Sequence, residues 1–282
     1  MKRTISSVYI VTKAGQAAAL ELAGSMHAWF RGQGIVADVF ENGSAAWKQL
    51  AFAPEGIVLV LGGDGTMLSV SRRLVGTGVP VLGVNLGRVG FLAEVSSEHW
   101  QEQLVRLLDG RAGFARRVAL ACTVEREGTL LHSGVAVNDV VVHRGALARV
   151  VRLELAVQGE RLGDLRADGL IVSSPTGSTG YAVSANGPLL HPDLDAFSVT
   201  PICPFMNALK PFVLRGDMEF SLVVHDTDAD LHLTQDGQEG VALRCGDRIR
   251  VTSAPGGLVF AELGCASYFD RLRTRGFYKD QR

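Results

Sequence analysis

The sequence predicts a two-domain protein, with an N-terminal α/β domain built on a parallel sheet and a C-terminal β-sandwich domain. In residues 1–112, apolar strand-like runs alternate with stretches of helical periodicity. In residues 113–267 the helical period largely disappears, and short apolar runs separated by Gly, Asp and Ser turns take over. The basic and aromatic tail, residues 268–282, is predicted to form a short helix that packs back on the first domain.

The elements of the first domain follow from periodicity. Strands are expected at residues 8–11, 35–40, 57–61 and 79–84, where the runs are predominantly apolar. Helices are expected at residues 19–30, 45–52, 67–74 and 97–108, where apolar residues recur at a spacing of three or four. Strands that are apolar on both faces indicate a parallel sheet covered by helices on each side. Ligands of such sheets bind beyond the carboxyl ends of the strands.

The second domain is predicted to consist mainly of short antiparallel strands. They are expected at residues 118–124, 134–143, 150–157, 220–224, 231–234, 249–252 and 258–260. This pattern of strands and turns is typical of a sandwich of two sheets.

Composition excludes several classes of protein. Hydrophobic residues make up 47% and charged residues 20% of the chain, as in ordinary globular proteins. A net charge of −1 gives no electrostatic reason to expect a nucleic acid or an anionic membrane as partner. We find no signal-peptide pattern and no apolar run of the ~18 residues needed to span a bilayer. The four scattered cysteines are typical of reduced thiols, so we expect a cytoplasmic location.

A glycine loop at residues 62–65, Gly-Gly-Asp-Gly, joins a predicted buried strand to a predicted helix. Gly63 and Gly65 would let backbone N–H groups approach a phosphate, and the helix dipole would favour its charge. Asp64 would repel a phosphate, so it must hold a cation, accept a proton or bind a sugar hydroxyl. The loop therefore indicates phosphoryl transfer to an alcohol. A tight turn in which Asp64 caps the helix is the alternative; the loop matches neither a Walker A motif nor the dinucleotide fingerprint.

Three further segments carry polar groups. Residues 173–184 hold many small and hydroxyl residues, which suits contact with a polar ligand, although a crossover loop without a ligand has the same composition. Asn138 and Asp139 head a predicted strand, as ribose-binding pairs do, or form an Asx turn. Residues 234–238 are predicted to form a hairpin turn. His143 and the other histidines have no partner at metal-ligand spacing.

Together these motifs closely resemble those of the NAD kinase family, ATP- or polyphosphate-dependent. The motifs that carry the resemblance are Gly62-Gly63-Asp64-Gly65, Asn138-Asp139, Asp168-Gly169, Pro175-Thr176-Gly177-Ser178-Thr179-Gly180-Tyr181 and Asp236-Gly237-Gln238. The glycine loop alone is shared with lipid kinases and phosphofructokinases, and the first domain is expected to be similar to theirs. The resemblance extends over nearly the whole chain.

The resemblance implies transfer of a phosphoryl group from ATP to the 2′-hydroxyl of the adenosine ribose of NAD, which gives NADP. It implies Mg²⁺ or another divalent cation carried by ATP, with no protein side chain assigned as a metal ligand, and a homodimer or homotetramer. Asp64 would be the catalytic residue and accept the proton of the attacking hydroxyl. The donor, ATP or polyphosphate, and the preference for NAD or NADH stay open. So do two rival functions, a lipid kinase and a non-catalytic NAD sensor.

The resemblance also implies the residues that bind NAD or ATP. They are Gly63, Asp64, Gly65, Phe91, Asn138, Asp139, Arg149, Arg166, Asp168, Thr176, Thr179, Gly180, Tyr181, Ala182, Val183, Ser184 and Gln238. Asn138 and Asp139 would hold ribose hydroxyls, and residues 179–184 would surround the nucleotide with Tyr181 stacking on it. Phe91 would pack on adenine.

The remaining implied contacts are polar. Arg149 or Arg166 would face a phosphate, Asp168 would take a polar edge of the dinucleotide, and Gln238 would add a hydrogen bond. The chain also departs from the family pattern, with Asp139 in place of Glu, Gly180 in place of Ala and Asn186 in place of Gly.

Overall fold

A computed structural model describes residues 3–87, 90–145, 150–207, 209–225 and 230–278. By contacts the chain divides into two units, residues 1–116 with 259–282 and residues 117–258. The domain limits predicted from the sequence, at residues 112, 267 and 268, stay predictions. No helix in the described ranges is long and apolar enough to cross a membrane.

The strands and helices have the following bounds. The strands are β1 Ser7–Thr12, β2 Val36–Glu41, β3 Gly56–Leu61, β4 Pro80–Asn85, β5 Ala93–Ser96, β6 Gly113–Arg117, β7 Leu120–Arg126, β8 Thr129–Ala136, β9 Asp139–Arg144, β10 Val151–Val157, β11 Glu160–Ala167, β12 Gly169–Ser173, β13 Ala196–Ile202, β14 Phe212–Arg215, β15 Phe220–Val224, β16 Leu231–Gln235, β17 Glu239–Leu243, β18 Arg248–Ser253 and β19 Leu258–Glu262. The helices are α1 Ala17–Gly32, α2 Ala45–Gln49, α3 Asp64–Leu74, α4 Trp100–Leu108, α5 Tyr181–Ser184 and α6 Tyr268–Thr274.

The first unit is a sheet of seven strands in the order β2-β1-β3-β4-β19-β6, with β5 paired to β4. Strands β1 to β5 pair in parallel, and β3 is buried along its whole length. Helices α1 and α4 bury Phe30 and Leu104 against one face of the sheet. The strand order reverses direction between β1 and β3, so the loops after these strands lie at the position where such sheets bind ligands.

Strand β19 differs from the expectation that residues 258–260 belong to the sandwich. It pairs in parallel with β4, with Val259 opposite Pro80 and Phe260 opposite Val81. A short apolar run is compatible with either sheet, because periodicity carries no information about the pairing partner. Helix α6, in the same unit, begins with a capping box in which Ser267 and Asp270 exchange hydrogen bonds.

The second unit is a sandwich of two six-stranded sheets, ordered β11-β10-β15-β18-β7-β8 and β14-β13-β12-β9-β16-β17. Their inner faces share one core, which includes Leu153 and Phe220 from the first of these sheets and Val142 and Phe197 from the second. The fold class predicted from the sequence, α/β followed by an all-β sandwich, is confirmed.

The single strand expected at residues 134–143 is two strands. Strand β8 ends at Ala136 and β9 begins at Asp139, with a corner between them at Val137 and Asn138. Along β9, Val140 and Val142 lie in the sandwich core, whereas Val141 packs with Ala182 on the outer face. Alternation along the strand therefore places Asp139 and His143 on the same outer face as Val141.

Candidate functional site

The glycine loop of the first unit joins β3 directly to α3. Gly63 is the N-cap of α3 and Asp64 is its first residue, so Asp64 does not cap the helix. A Cβ on Gly62 would lie 2.8 Å from Oγ1 of Thr66, which explains why glycine is needed at this approach of loop to helix. The half-buried carboxylate of Asp64 lies at the positive end of the helix dipole.

The carboxylate of Asp64 is fixed by a second glycine loop, which includes Gly90, Phe91 and Leu92. Its Oδ2 accepts a hydrogen bond from the N–H of Phe91 at 3.1 Å, and its Oδ1 accepts one from the N–H of Leu92 at 3.3 Å. A Cβ on Gly90 would lie 1.9 Å from Oδ1, so the close approach requires glycine. Each carboxylate oxygen keeps a lone pair for a further partner.

The second loop is in turn held by the C-terminal segment. Arg271 donates to the carbonyl of Phe91 at 3.0 Å and forms an ion pair with Glu94, whose carboxylate also accepts the N–H of Leu263. The ring of Phe91 meets Phe277 edge-on at 5.7 Å. Phe91 was predicted to pack on adenine, and in the structure its backbone positions Asp64 while its ring contacts the tail.

The second unit holds a cavity of about 390 Å³ on the outer face of β9 and β16. Its lining residues are Asn138, Asp139, Val141, His143, Tyr181, Thr234, Asp236 and Gly237. Three of these, Asn138, Asp139 and Tyr181, were predicted as site residues, and the fold brings them together from separate segments. Motif reasoning did not assign His143 or Asp236 to the site.

Asp236 organises the corner that carries Asn138 and Asp139. Its carboxylate accepts the backbone N–H groups of Val137 at 3.1 Å, Asn138 at 2.7 Å and Asp139 at 3.2 Å. Asp236 and Gly237 have φ values of 51° and 62°, and the N–H of Gln238 bonds to the carbonyl of Gln235, as in a type I′ turn. The predicted hairpin turn is confirmed, but the turn signal did not reveal what the Asp236 side chain binds.

Asp139 is a buried carboxyl group facing another acid. Only 6% of the residue is exposed. Burial, followed by the negative charge of Asp236, raises the pKa of Asp139 to about 7. The N–H donors around Asp236 stabilise negative charge there. Asp139 therefore holds its proton up to near neutral pH and can donate a hydrogen bond to a ligand.

This raised pKa predicts a pH-dependent difference in stability between the protein and Asp139→Asn. Below about pH 7 the folded chain keeps a proton that the unfolded chain releases above about pH 4. The stabilising contribution of Asp139 is thus complete at low pH and is lost as the pH rises to about 7. Neutral Asn has no such loss, so the variant should gain on the native chain by on the order of 1.4 kcal/mol for each pH unit in this window.

Urea unfolding of both proteins between about pH 5 and pH 8 measures this difference. The contributions of other titrating groups to the pH dependence cancel in this difference, because the two chains differ at one residue. A difference in the free energy of unfolding that stays constant across the range would contradict the raised pKa.

The hydroxyl-rich segment 173–184 forms a 3-10 helix, Thr176–Thr179, followed by α5. Most of its serines bind the protein itself: Ser174 donates to the Val137 carbonyl at 2.6 Å, and Ser178 donates to the Pro175 carbonyl at 2.7 Å. A Cβ on Gly177 would lie 2.2 Å from the Asn138 carbonyl oxygen, so this glycine lets the segment pack on the corner.

Two polar side chains of this region, Asn138 in the cavity lining and Thr176 at the start of the 3-10 helix, each have a buried oxygen atom available for a further partner. Oδ1 of Asn138 and Oγ1 of Thr176 are buried and have no hydrogen-bond partner among the described residues. Buried polar atoms are rarely left unpaired, so both indicate a missing polar partner. Tyr181 is 47% exposed at the cavity, and Thr179, Gly180, Val183 and Ser184 surround it in sequence.

Other predicted site residues have different surroundings. Asp168 forms a two-bond ion pair with Arg144, with distances of 2.8 and 3.0 Å. The guanidinium of Arg166 lies 5.2 Å from the ring centre of Phe205. Gln238 is exposed in the hairpin turn. Arg149 lies outside the described residues.

The departures from the family pattern are compatible with this backbone. Asn186 has a φ of 61°, a left-handed conformation that Asn tolerates nearly as well as Gly. A Cβ on Gly180 would lie 3.2 Å from the Gly177 carbonyl oxygen, a tight contact.

The described residues offer one group of three potential metal ligands, and it lies outside both regions above. Glu154, Asp164 and His225 have ligand atoms within 4.8 Å of one another. Arg161 is ion-paired with both acids of this group, which neutralises them.

Comparison with known proteins gives consistent matches along the chain. Family models described as the ATP-NAD kinase N-terminal domain and C-terminal domain match residues 45–112 and 137–263. A protein named NAD kinase from Nitratidesulfovibrio vulgaris (strain DSM 19637 / Miyazaki F) is 54% identical over 282 residues, covering 100% of both chains.

Two solved structures are similar in fold. Yeast NADH kinase complexed with NADH matches with a TM-score of 0.83 at 24% identity, covering 100% of this chain and 90% of that one. An NAD kinase from Archaeoglobus fulgidus in complex with ATP matches with a TM-score of 0.76 at 25% identity, covering 95% of this chain and 98% of that one. Because a relative of 54% identity spans the entire chain and both family models match, this chain belongs to the NAD kinase family.

Proposed function

We propose that the protein transfers the terminal phosphoryl group of ATP to the 2′-hydroxyl of the adenosine ribose of NAD and so forms NADP. As a member of the NAD kinase family it is a phosphotransferase. ATP as donor is supported by the archaeal relative solved with ATP. The observation that carries the proposal is the fixed carboxylate of Asp64 in the glycine loop.

In the first unit, we propose that the glycine loop binds the phosphates of ATP and that Asp64 accepts the proton of the attacking hydroxyl. The backbone N–H groups of Gly63 and Gly65 lie at the start of α3, where the dipole stabilises phosphate charge. Asp64 keeps one face free for the attacking hydroxyl, because its two amide contacts both come from the second loop. A carboxylate held in this way orients the hydroxyl and accepts its proton.

The residues around Asp64 suit a divalent cation that arrives on ATP. One carboxylate, with no metal-ligand group of three beside it among the described residues, fits a Mg²⁺ ion held mainly by phosphates and water. When bound, the cation would neutralise charge on the transferred phosphoryl group. We propose that Asp64 contributes at most one ligand.

In the second unit, we propose that NAD binds in the cavity. Asn138 offers an unpaired amide oxygen, and Asp139 offers a carboxyl group that still holds its proton near neutral pH. Both can bind ribose hydroxyls, while Tyr181 stacks on a base or sugar face. The unpaired hydroxyl of Thr176 adds a further contact. We also propose that NAD contacts the neighbours of these groups in sequence, which are Gly180, Ala182, Val183, Ser184 and Gln238.

Location and assembly are also proposed. All four cysteines are free thiols, as a reducing cytoplasm favours. The edge strands β8, β11, β14 and β17 of the sandwich offer backbone groups for a homodimer or homotetramer.

The test is direct. Purified protein is incubated with NAD and magnesium-ATP, and NADP is followed with an NADP-specific dehydrogenase, with polyphosphate and NADH in parallel arms. We expect NADP formation from ATP and NAD. Well-folded protein that binds NAD but forms no NADP with any donor would be a sensor, and the proposal would be wrong.

A further inference from the structure

The cavity of the second unit has an uneven distribution of charge. Two acids, Asp139 and Asp236, lie at the end next to the corner. His143 lies four residues further along β9, roughly 13 Å away at the rise of an extended strand. None of the described residues that line the cavity is Lys or Arg. Among the described lining residues, His143 is therefore the one with a basic side chain.

The ring of His143 is held with one nitrogen left for a ligand. Its Nδ1 lies 3.1 Å from the carbonyl oxygen of Arg144, an acceptor, so Nδ1 carries a proton. Its Nε2 has no partner among the described residues, and it donates to a phosphate oxygen when the ring carries a proton on both nitrogens. The ring of His232 stacks on the ring of His143, with 6.1 Å between the ring centroids and 28° between the ring planes. Nε2 of His232 lies 2.8 Å from a carboxylate oxygen of Asp230. This packing holds the His143 ring at the cavity wall.

The two ends of the cavity select different parts of a dinucleotide. The carboxylate of Asp236 repels phosphate, and the proton-holding carboxyl group of Asp139 suits a hydroxyl, so the diphosphate belongs at the end away from both. Between the ends, Val141 and Thr234 lie side by side on paired strands and offer a flat wall for a sugar or base.

We propose, building on the proposed binding of NAD, that the doubly protonated ring of His143 donates a hydrogen bond from Nε2 to the diphosphate of NAD and that His232 positions the His143 ring. The contact makes His143 a determinant of binding for phosphate-bearing ligands. Nucleosides, which share the hydroxyls and bases but lack phosphate, do not use it.

The test compares NAD with adenosine and nicotinamide riboside as ligands, using calorimetry on the full-length protein. His143→Gln leaves a neutral side chain at this position, His143→Lys places an ammonium group there, and His99→Gln is a control at an exposed histidine of the first unit. We expect His143→Gln to weaken NAD about tenfold, the weight of one charge-assisted hydrogen bond, and His143→Lys to recover most of the loss. Binding of either nucleoside should be unchanged.

Three results would overturn the inference: NAD affinity unchanged in His143→Gln, an equal loss in the Gln and Lys variants, or an equal loss for nucleosides and NAD. In all three cases the native protein would still bind NAD and form NADP, so the proposed function would stand. Native protein that neither binds NAD nor forms NADP would overturn both.

Discussion

Replacing Asp64 with Asn is expected to lower kcat for NADP formation by roughly 10²–10⁴-fold, the usual weight of a general base. The amide has nearly the same shape as the carboxylate and its oxygen still accepts one of the N–H groups of Phe91 and Leu92. It cannot take a proton from a hydroxyl. One hydrogen bond is lost at a half-buried position, so the free energy of unfolding should fall by only about 1 kcal/mol.

Initial rates at saturating ATP and NAD measure this effect, and thermal unfolding checks the fold. Asp38→Asn is the matched control, because it makes the same change at an exposed position on β2 of the same unit. If Asp64→Asn kept more than about a tenth of the native turnover, the loss would be too small for a base and Asp64 would have another role.

Asp64 could be predicted from the sequence because the elements that place its backbone are local. A buried strand, three glycines and a helix start follow one another within residues 56–74. The second loop could not be predicted in this way. Gly90 approaches the Asp64 carboxylate from 26 residues away, and only the pairing of β4 beside β3 brings the two loops together.

The sandwich was predicted as a class, but not its pairings. The short apolar run at residues 258–260 joined the parallel sheet, since composition does not choose a partner strand. The hydroxyl-rich segment 173–184 was predicted to contact a polar ligand, with a crossover loop as the alternative, and in the structure Ser174 and Ser178 bind backbone carbonyls of the protein. Small polar residues serve a buried crossover as well as a ligand, and sequence alone does not separate the two uses.

The role of Asp236 was beyond sequence reasoning for a related cause. Its partners, residues 137–139, are 97 to 99 positions away along the chain. The backbone conformation of a hairpin turn already accounts for an Asp-Gly pair, so the sequence gives no indication that the Asp side chain has a distant partner. The fold places this turn beside the β8–β9 corner, because β16 pairs with β9.

Asp236→Ala is therefore expected to have the second large effect. It leaves three backbone N–H groups, those of Val137, Asn138 and Asp139, without an acceptor, at about 1–3 kcal/mol each. The left-handed φ of 51° adds roughly 1 kcal/mol of strain for Ala. A loss of about 4–10 kcal/mol would be a large part of the stability of a domain. Affinity for NAD should fall more than tenfold, because the corner presents Asn138 and Asp139 to the cavity.

Asp236→Asn separates the causes, because Asn tolerates the left-handed backbone and keeps one acceptor oxygen. It should therefore lose less than half as much stability as Asp236→Ala. Asp217→Ala, at an exposed turn of the same unit, should change the free energy of unfolding by no more than about 0.5 kcal/mol. Amide hydrogen exchange gives the residue-level measurement: the N–H groups of Val137, Asn138 and Asp139 should exchange fast in Asp236→Ala and slowly in the native protein. Slow exchange of these amides in the Ala variant would show that something other than the Asp236 carboxylate holds the corner.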